Sequence, residues 1–166
     1  IYKVNIIFLM KRIKFLAINL IAFFAIIGCS NESTSLSEEP KNSLEYFEAL
    51  DIAYGSHPNQ KIDLYLPTNR DENTKTLILV HGGGWSSGDK TDMNVLIGFI
   101  RKDLPDIAIA NINYRLANEN NTPYPMQIND ISSAISFLKT QKSEYVISNN
   151  FGFVGISAGA HLSLLW

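Results

Sequence analysis

A single cysteine, Cys29, occurs in the 166 residues. No disulfide can close within the chain, so the fold must rest on its apolar core. Basic residues are not in excess: 14 Lys and Arg stand against 16 Asp and Glu, for a net charge of −2. No basic stripe runs along the chain, which argues against nucleic acid as a partner. The three histidines are not spaced as paired metal ligands, with each other or with the cysteine. No metal and no cofactor is expected. There is no internal repeat, and the only biased tract is a polar stretch over residues 31–43, rich in Ser and Glu. Its lack of an apolar period predicts a flexible tether.

What is present divides into two parts. Near the N-terminus, the basic cluster Lys11-Arg12-Ile13-Lys14 precedes an almost unbroken apolar run over residues 15–27, followed by Gly28-Cys29-Ser30. A basic region, an apolar run and a small residue before the cut are the parts of a secretory signal peptide. The run is short of the roughly 20 residues that a spanning helix needs. Ile26-Ile27-Gly28 before Cys29 resembles a bacterial lipobox. That resemblance implies that Cys29 is lipidated, becomes the mature N-terminus and holds an exported protein to the membrane of the cell envelope. Residues 1–28 are therefore expected to be the leader, with Met10 as the natural start, and residues 29–44 the lipidated cysteine and tether. Loss of Lys3, Lys11, Arg12 and Lys14 with the leader makes the remainder more acidic.

Residues 45–166 read as an α/β domain. Strands are predicted over residues 49–54, 61–66, 76–80, 107–113 and 151–154. Helices are predicted over 91–104, opening on a Thr or Asp cap and ending before Pro105, and over 127–142. In the second helix Ile128, Ile131, Ala134, Ile135 and Leu138 recur at helical spacing. Strands alternating with helices indicate a mostly parallel sheet covered on both faces.

Two motifs carry chemistry. Gly155-Ile156-Ser157-Ala158-Gly159 lies between an apolar strand and an apolar helix. A serine on that sharp turn is a nucleophile elbow, and the flanking glycines remove side chains that would collide. Upstream, the strand ending at Val80 runs into His81-Gly82-Gly83-Gly84-Trp85. An HGGG segment in that place supplies backbone N–H groups for an oxyanion hole. Ser157 is the candidate nucleophile, and Gly83, Gly84 and Ala158 are the candidate oxyanion donors. His81 is expected to brace the loop, and His161 to be structural on the helix after the elbow. His57 lies in an early turn. Trp85 either lines an acyl pocket or simply packs. Asp130 is expected to be a structural hydrogen-bonding residue, and Arg115 to tie loops through an ion pair.

With these motifs stand Tyr54-Gly55, Ile62-Asp63-Leu64-Tyr65-Leu66-Pro67, Gly88-Asp89-Lys90, Asn113-Tyr114-Arg115-Leu116 and Tyr124-Pro125 with Asp130. The whole set resembles the α/β-hydrolase superfamily in its HGGG-type esterase and lipase branch. More narrowly, it resembles small esterases related to bacterial feruloyl and acetyl esterases and to kynurenine formamidase. The resemblance implies the α/β-hydrolase fold and acyl transfer to water, with a small ester or an acylated saccharide as substrate. A serine peptidase or amidase, and a non-catalytic envelope binding protein, are the alternatives. In this fold the chain order is Ser, then Asp or Glu, then His. Only nine residues follow Ser157. The chain is thus expected to be the N-terminal part of such a hydrolase, truncated after the elbow, with little turnover of its own.

Overall fold

The computed structural model describes residues 43–166. The expected leader, Cys29 and nearly all of the tether lie outside the described residues. Five strands form one sheet: β1 (Phe47–Ala53), β2 (Lys61–Leu66), β3 (Thr76–Val80), β4 (Ala108–Ile112) and β5 (Phe151–Gly155), in the order β1-β2-β4-β3-β5. β1, β2 and β4 pair antiparallel, whereas β4, β3 and β5 are parallel. A 3₁₀ turn at Lys90–Met93 leads into helix α1 (Asn94–Asp103). Helices α2 (Met126–Thr140), α3 (Lys142–Tyr145) and α4 (Ala158–Leu165) follow.

Side chains alternate across a strand, so a strand buried on both faces must be apolar throughout. β3 shows this division. Ile78 and Val80 enter a core with Ile131, Ala134, Ile135 and Leu138 of α2 and Leu162 of α4. Leu79 faces the other way, onto Met93 and onto Ile97 and Ile100 of α1. Each buried Ile, Leu, Val or Met side chain among them contributes on the order of 1.5–3 kcal/mol.

The strands at 61–66 and 76–80 lie where the sequence places them. β1 begins two residues before the expected start and ends one residue before the expected end. It is an exposed edge strand, so apolar content marks its limits poorly. The helix expected over 91–104 is two elements. Asp89 caps the 3₁₀ turn in a capping box with Asp92, and the α-helix starts only at Asn94. The helix expected over 127–142 ends at Thr140, and α3 is a separate turn after Gln141.

Candidate active site

The elbow is built by an abrupt change of backbone direction. The Ile156 N–H still donates to the Val80 carbonyl at 3.2 Å, extending the β5–β3 ladder. The Gly159 N–H already donates to the Ile156 carbonyl at 2.8 Å, as the helix begins. Ser157 lies between them at φ 50° and ψ −116°. L-residues seldom adopt such a backbone, and holding one there costs on the order of 1–3 kcal/mol. Close packing explains the flanking glycines. A Cβ at position 155 would sit 2.5 Å from the Ala160 nitrogen, and one at 159 would strike the carbonyl oxygens of Val80 and His81. The Ser157 side chain is exposed and makes no capping bond to α4.

The loop after β3 lies against this turn. A Cβ on Gly82 would stand 3.0 Å from the Ile156 carbonyl oxygen and 3.4 Å from the Ser157 Cβ. Gly83 has φ +111°, and a side chain there would run into the Ser87 carbonyl. The Gly83 carbonyl accepts from the N–H groups of Ser86 (3.2 Å) and Ser87 (3.0 Å) and from the Ser87 hydroxyl (2.7 Å). Among the described residues, the N–H groups of Gly83, Gly84 and Ala158 donate to no acceptor. Ala158 is the first residue of α4, where backbone donors have no partner within the helix.

His81 is fully buried, with its ring stacked on Tyr114 at 4.3 Å. Its Nδ1 lies 2.7 Å from the Gly82 carbonyl oxygen, so Nδ1 carries the proton and donates. The Tyr114 hydroxyl donates to the His81 carbonyl at 2.9 Å. Burial lowers the His81 pKa, against the opposing pull of the Gly82 carbonyl and of Asp89 and Asp92. A neutral, buried, stacked ring is a brace, as its place at the head of the loop predicts. His161 packs edge-on against the Trp85 indole, with ring centroids 5.6 Å apart. Trp85 thus packs while remaining about one-third exposed. His57 is in the turn between β1 and β2, where its Nδ1 accepts from the Asn59 N–H.

Of two polar networks beneath the loop, the first has little signal in the sequence. The Asp89 carboxylate accepts from Thr91 and from the Asn113 amide at 2.7 Å. Asn113 Oδ1 accepts from the Lys90 N–H at 2.6 Å. The Lys90 ammonium is buried between Asp63 (2.7 Å) and Asp51 (3.0 Å). Burial disfavours that charge, yet the two carboxylates outweigh it and raise the Lys90 pKa. One local signal existed: an aspartate, Asp63, among the apolar residues Ile62, Leu64, Tyr65 and Leu66 of β2. The second network is the expected one. Buried Asp130 accepts from the Arg115 backbone N–H (2.8 Å), from its guanidinium (2.6 Å) and from the Gln60 amide (2.8 Å). It thereby joins α2 to the loop after β4 and to the β1–β2 turn.

Known proteins resemble this chain in sequence and in fold. The chain is similar to the isoprenylcysteine alpha-carbonyl methylesterase ICME of Arabidopsis thaliana, 34% identical over 113 residues. That match covers 68% of this chain and 26% of the relative. It is also similar to the kynurenine formamidase avaC of Aspergillus versicolor, 37% identical over 99 residues, covering 52% of this chain and 33% of that protein. The chain therefore spans about a quarter to a third of the length of these curated relatives. Among solved structures, a truncated carbohydrate esterase from gut microbiota superposes with a TM-score of 0.60 at 26% identity, over 70% of this chain and 41% of that one. The sheet with its covering helices is that of the α/β-hydrolase esterases. Residues 62–166 match the BD-FAE family, and the chain belongs to it.

Proposed function

We propose that the protein hydrolyses carboxylic esters, with Ser157 as nucleophile. The supporting observation is the strained Ser157 backbone set beside Gly82, with the N–H groups of Gly83, Gly84 and Ala158 lacking acceptors among the described residues. Ser157 Oγ attacks the ester carbonyl carbon and its proton passes to a base. The carbonyl oxygen becomes an oxyanion held by the N–H groups of Gly83, Gly84 and Ala158. Collapse expels the alcohol, which takes up the proton, and leaves an acyl-serine that water hydrolyses. Each donor to the oxyanion is worth about 2.7–4 kcal/mol of transition-state stabilisation. Among the described residues no imidazole of His57, His81 or His161 is hydrogen-bonded to the Ser157 hydroxyl, so none of the three is assigned as that base.

The relatives' names support ester cleavage, and the carbohydrate esterase favours a small ester or an acylated saccharide as substrate. A second reading, amide cleavage, has support in the formamidase relative. The same elbow and amides would serve it. In the protein as its gene encodes it, Ser157→Ala should lower p-nitrophenyl acetate turnover at least 10⁴-fold, to the order left when a catalytic serine is removed. It should also end labelling by a fluorophosphonate. Wild-type turnover in that variant would remove the serine mechanism.

We further propose an exported, lipid-anchored protein, on the strength of the basic cluster, the apolar run and Cys29. More than one acyl chain is needed for stable anchoring. Cys29→Ser should move the protein from the membrane fraction to the soluble one; an unchanged distribution would refute the anchor.

A further inference from the structure

Gln127 is fully buried near the start of α2. Its Nε2 donates to two backbone carbonyls on different loops: Trp85 at 2.6 Å and Arg115 at 2.8 Å. Its Oε1 has no partner among the described residues. The opposite amide orientation would set Oε1 against two carbonyl oxygens, so the acceptors dictate which way the group faces. A buried amide with an unpaired oxygen is a costly way to fill space that a leucine could occupy. What it supplies is a pair of donors between the loop after β3 and the loop after β4.

The clamped peptide is significant for its position. Trp85 follows Gly84 directly. It has φ 66°, a conformation that a bulky L-residue keeps only when its surroundings hold it. Its carbonyl takes the Gln127 bond and a second from the Ala117 N–H at 2.9 Å. We propose that Gln127 is a positioning residue. By fixing the Trp85 carbonyl it holds the adjoining Gly83 and Gly84 amides in the orientation that receives an oxyanion. This rests on the oxyanion role proposed above for those amides. Gln127 itself touches no reacting atom.

The test uses the protein as its gene encodes it, with p-nitrophenyl acetate as probe. Gln127→Leu keeps the bulk and removes both donors. Its kcat should fall on the order of 10²-fold with KM little changed, as misplacement of a catalytic group does. Amide exchange over residues 82–88 should quicken while the core strands keep their protection. Gln127→Glu supplies a readout that a merely structural role would not move. Its carboxylate has no proton for either carbonyl, but protonation restores one donor. The ratio of its kcat to that of the wild type should therefore rise as pH falls. If Gln127→Leu does not fold, the Gln127→Glu ratio decides. Unchanged kcat in a folded Gln127→Leu, or a ratio flat with pH in Gln127→Glu, overturns the inference. Ser157→Ala separates this from the parent reading. Loss of turnover there, with none in Gln127→Leu, removes only the positioning role; wild-type turnover in Ser157→Ala removes the serine mechanism itself.

Discussion

His81 shows how one residue couples the site to stability. Its ring is neutral because burial makes the imidazolium unfavourable, and among the described residues its Nε2 has no partner to help hold a second proton. The folded-state pKa lies below the ordinary value of about 6.5 for a free histidine. Below that ordinary value the unfolded chain binds a proton that the folded chain refuses, so the folded state loses ground as pH falls. The loss should begin near pH 6.5 and level off once pH drops through the lowered folded-state value. Thermal unfolding midpoints measured from pH 8 downward should show this slope, and His81→Phe should flatten it. The phenyl ring can keep the stack on Tyr114 but takes no proton. A slope unchanged in the variant would assign the acid sensitivity to another group.

At the scale of elements, two glycines in helices make opposite demands. Gly159 sits in the first turn of α4, where an added Cβ would strike the carbonyl oxygens of Val80 and His81. Neither carbonyl belongs to a side chain that can swing aside. Gly159→Ala should cost at least about 1–3 kcal/mol, as overpacking does. Gly98 lies within α1, with no described residue inside 4 Å of the added atom. Gly98→Ala should stabilise by about 0.4–1 kcal/mol, chiefly by restricting the unfolded chain. Urea unfolding of the two variants should give midpoint shifts of opposite sign; shifts of the same sign would contradict the packing described. The elbow glycine was legible in the sequence because its motif encodes a steric need. β2, β3 and α2 were legible because burial on a sheet or helix face writes a period into the chain. The division between the 3₁₀ turn and α1 was not, because it depends on Asp89 reaching the Thr91 N–H, which no apolar period reveals. Lys90 and Gln127 were illegible for a related reason. Each reads as a surface residue until sheet order and loop packing bring Asp63, or the carbonyls of Trp85 and Arg115, to meet it.

On the whole-molecule scale, sheet topology makes the site. β4, β3 and β5 are adjacent and parallel, so their C-terminal ends open on one side of the sheet. The end of β3 bears the triple-glycine loop, the end of β5 bears Ser157, and the end of β4 bears Tyr114 and Arg115, which support them. Open α/β sheets bind ligands on that side. The same topology leaves β5 outermost among the described residues. Backbone groups point alternately to the two sides of a strand. The Asn150 carbonyl and the Ile156 N–H face β3, so those of Gly152 and Val154 do too. The N–H groups of Phe151, Phe153 and Gly155 face outward with no strand beside them. An unpaired edge is a template for another chain, and this one carries Phe151, Phe153 and Val154. Residue-resolved amide exchange on a chain of these residues should therefore alternate. In dilute solution Gly152, Val154 and Ile156 should be slow and Phe151, Phe153 and Gly155 fast. As concentration rises, the fast set should slow while light scattering reports association. Protection of all six in dilute solution would contradict the outer place of β5, and a fast set insensitive to concentration would exclude association through this edge.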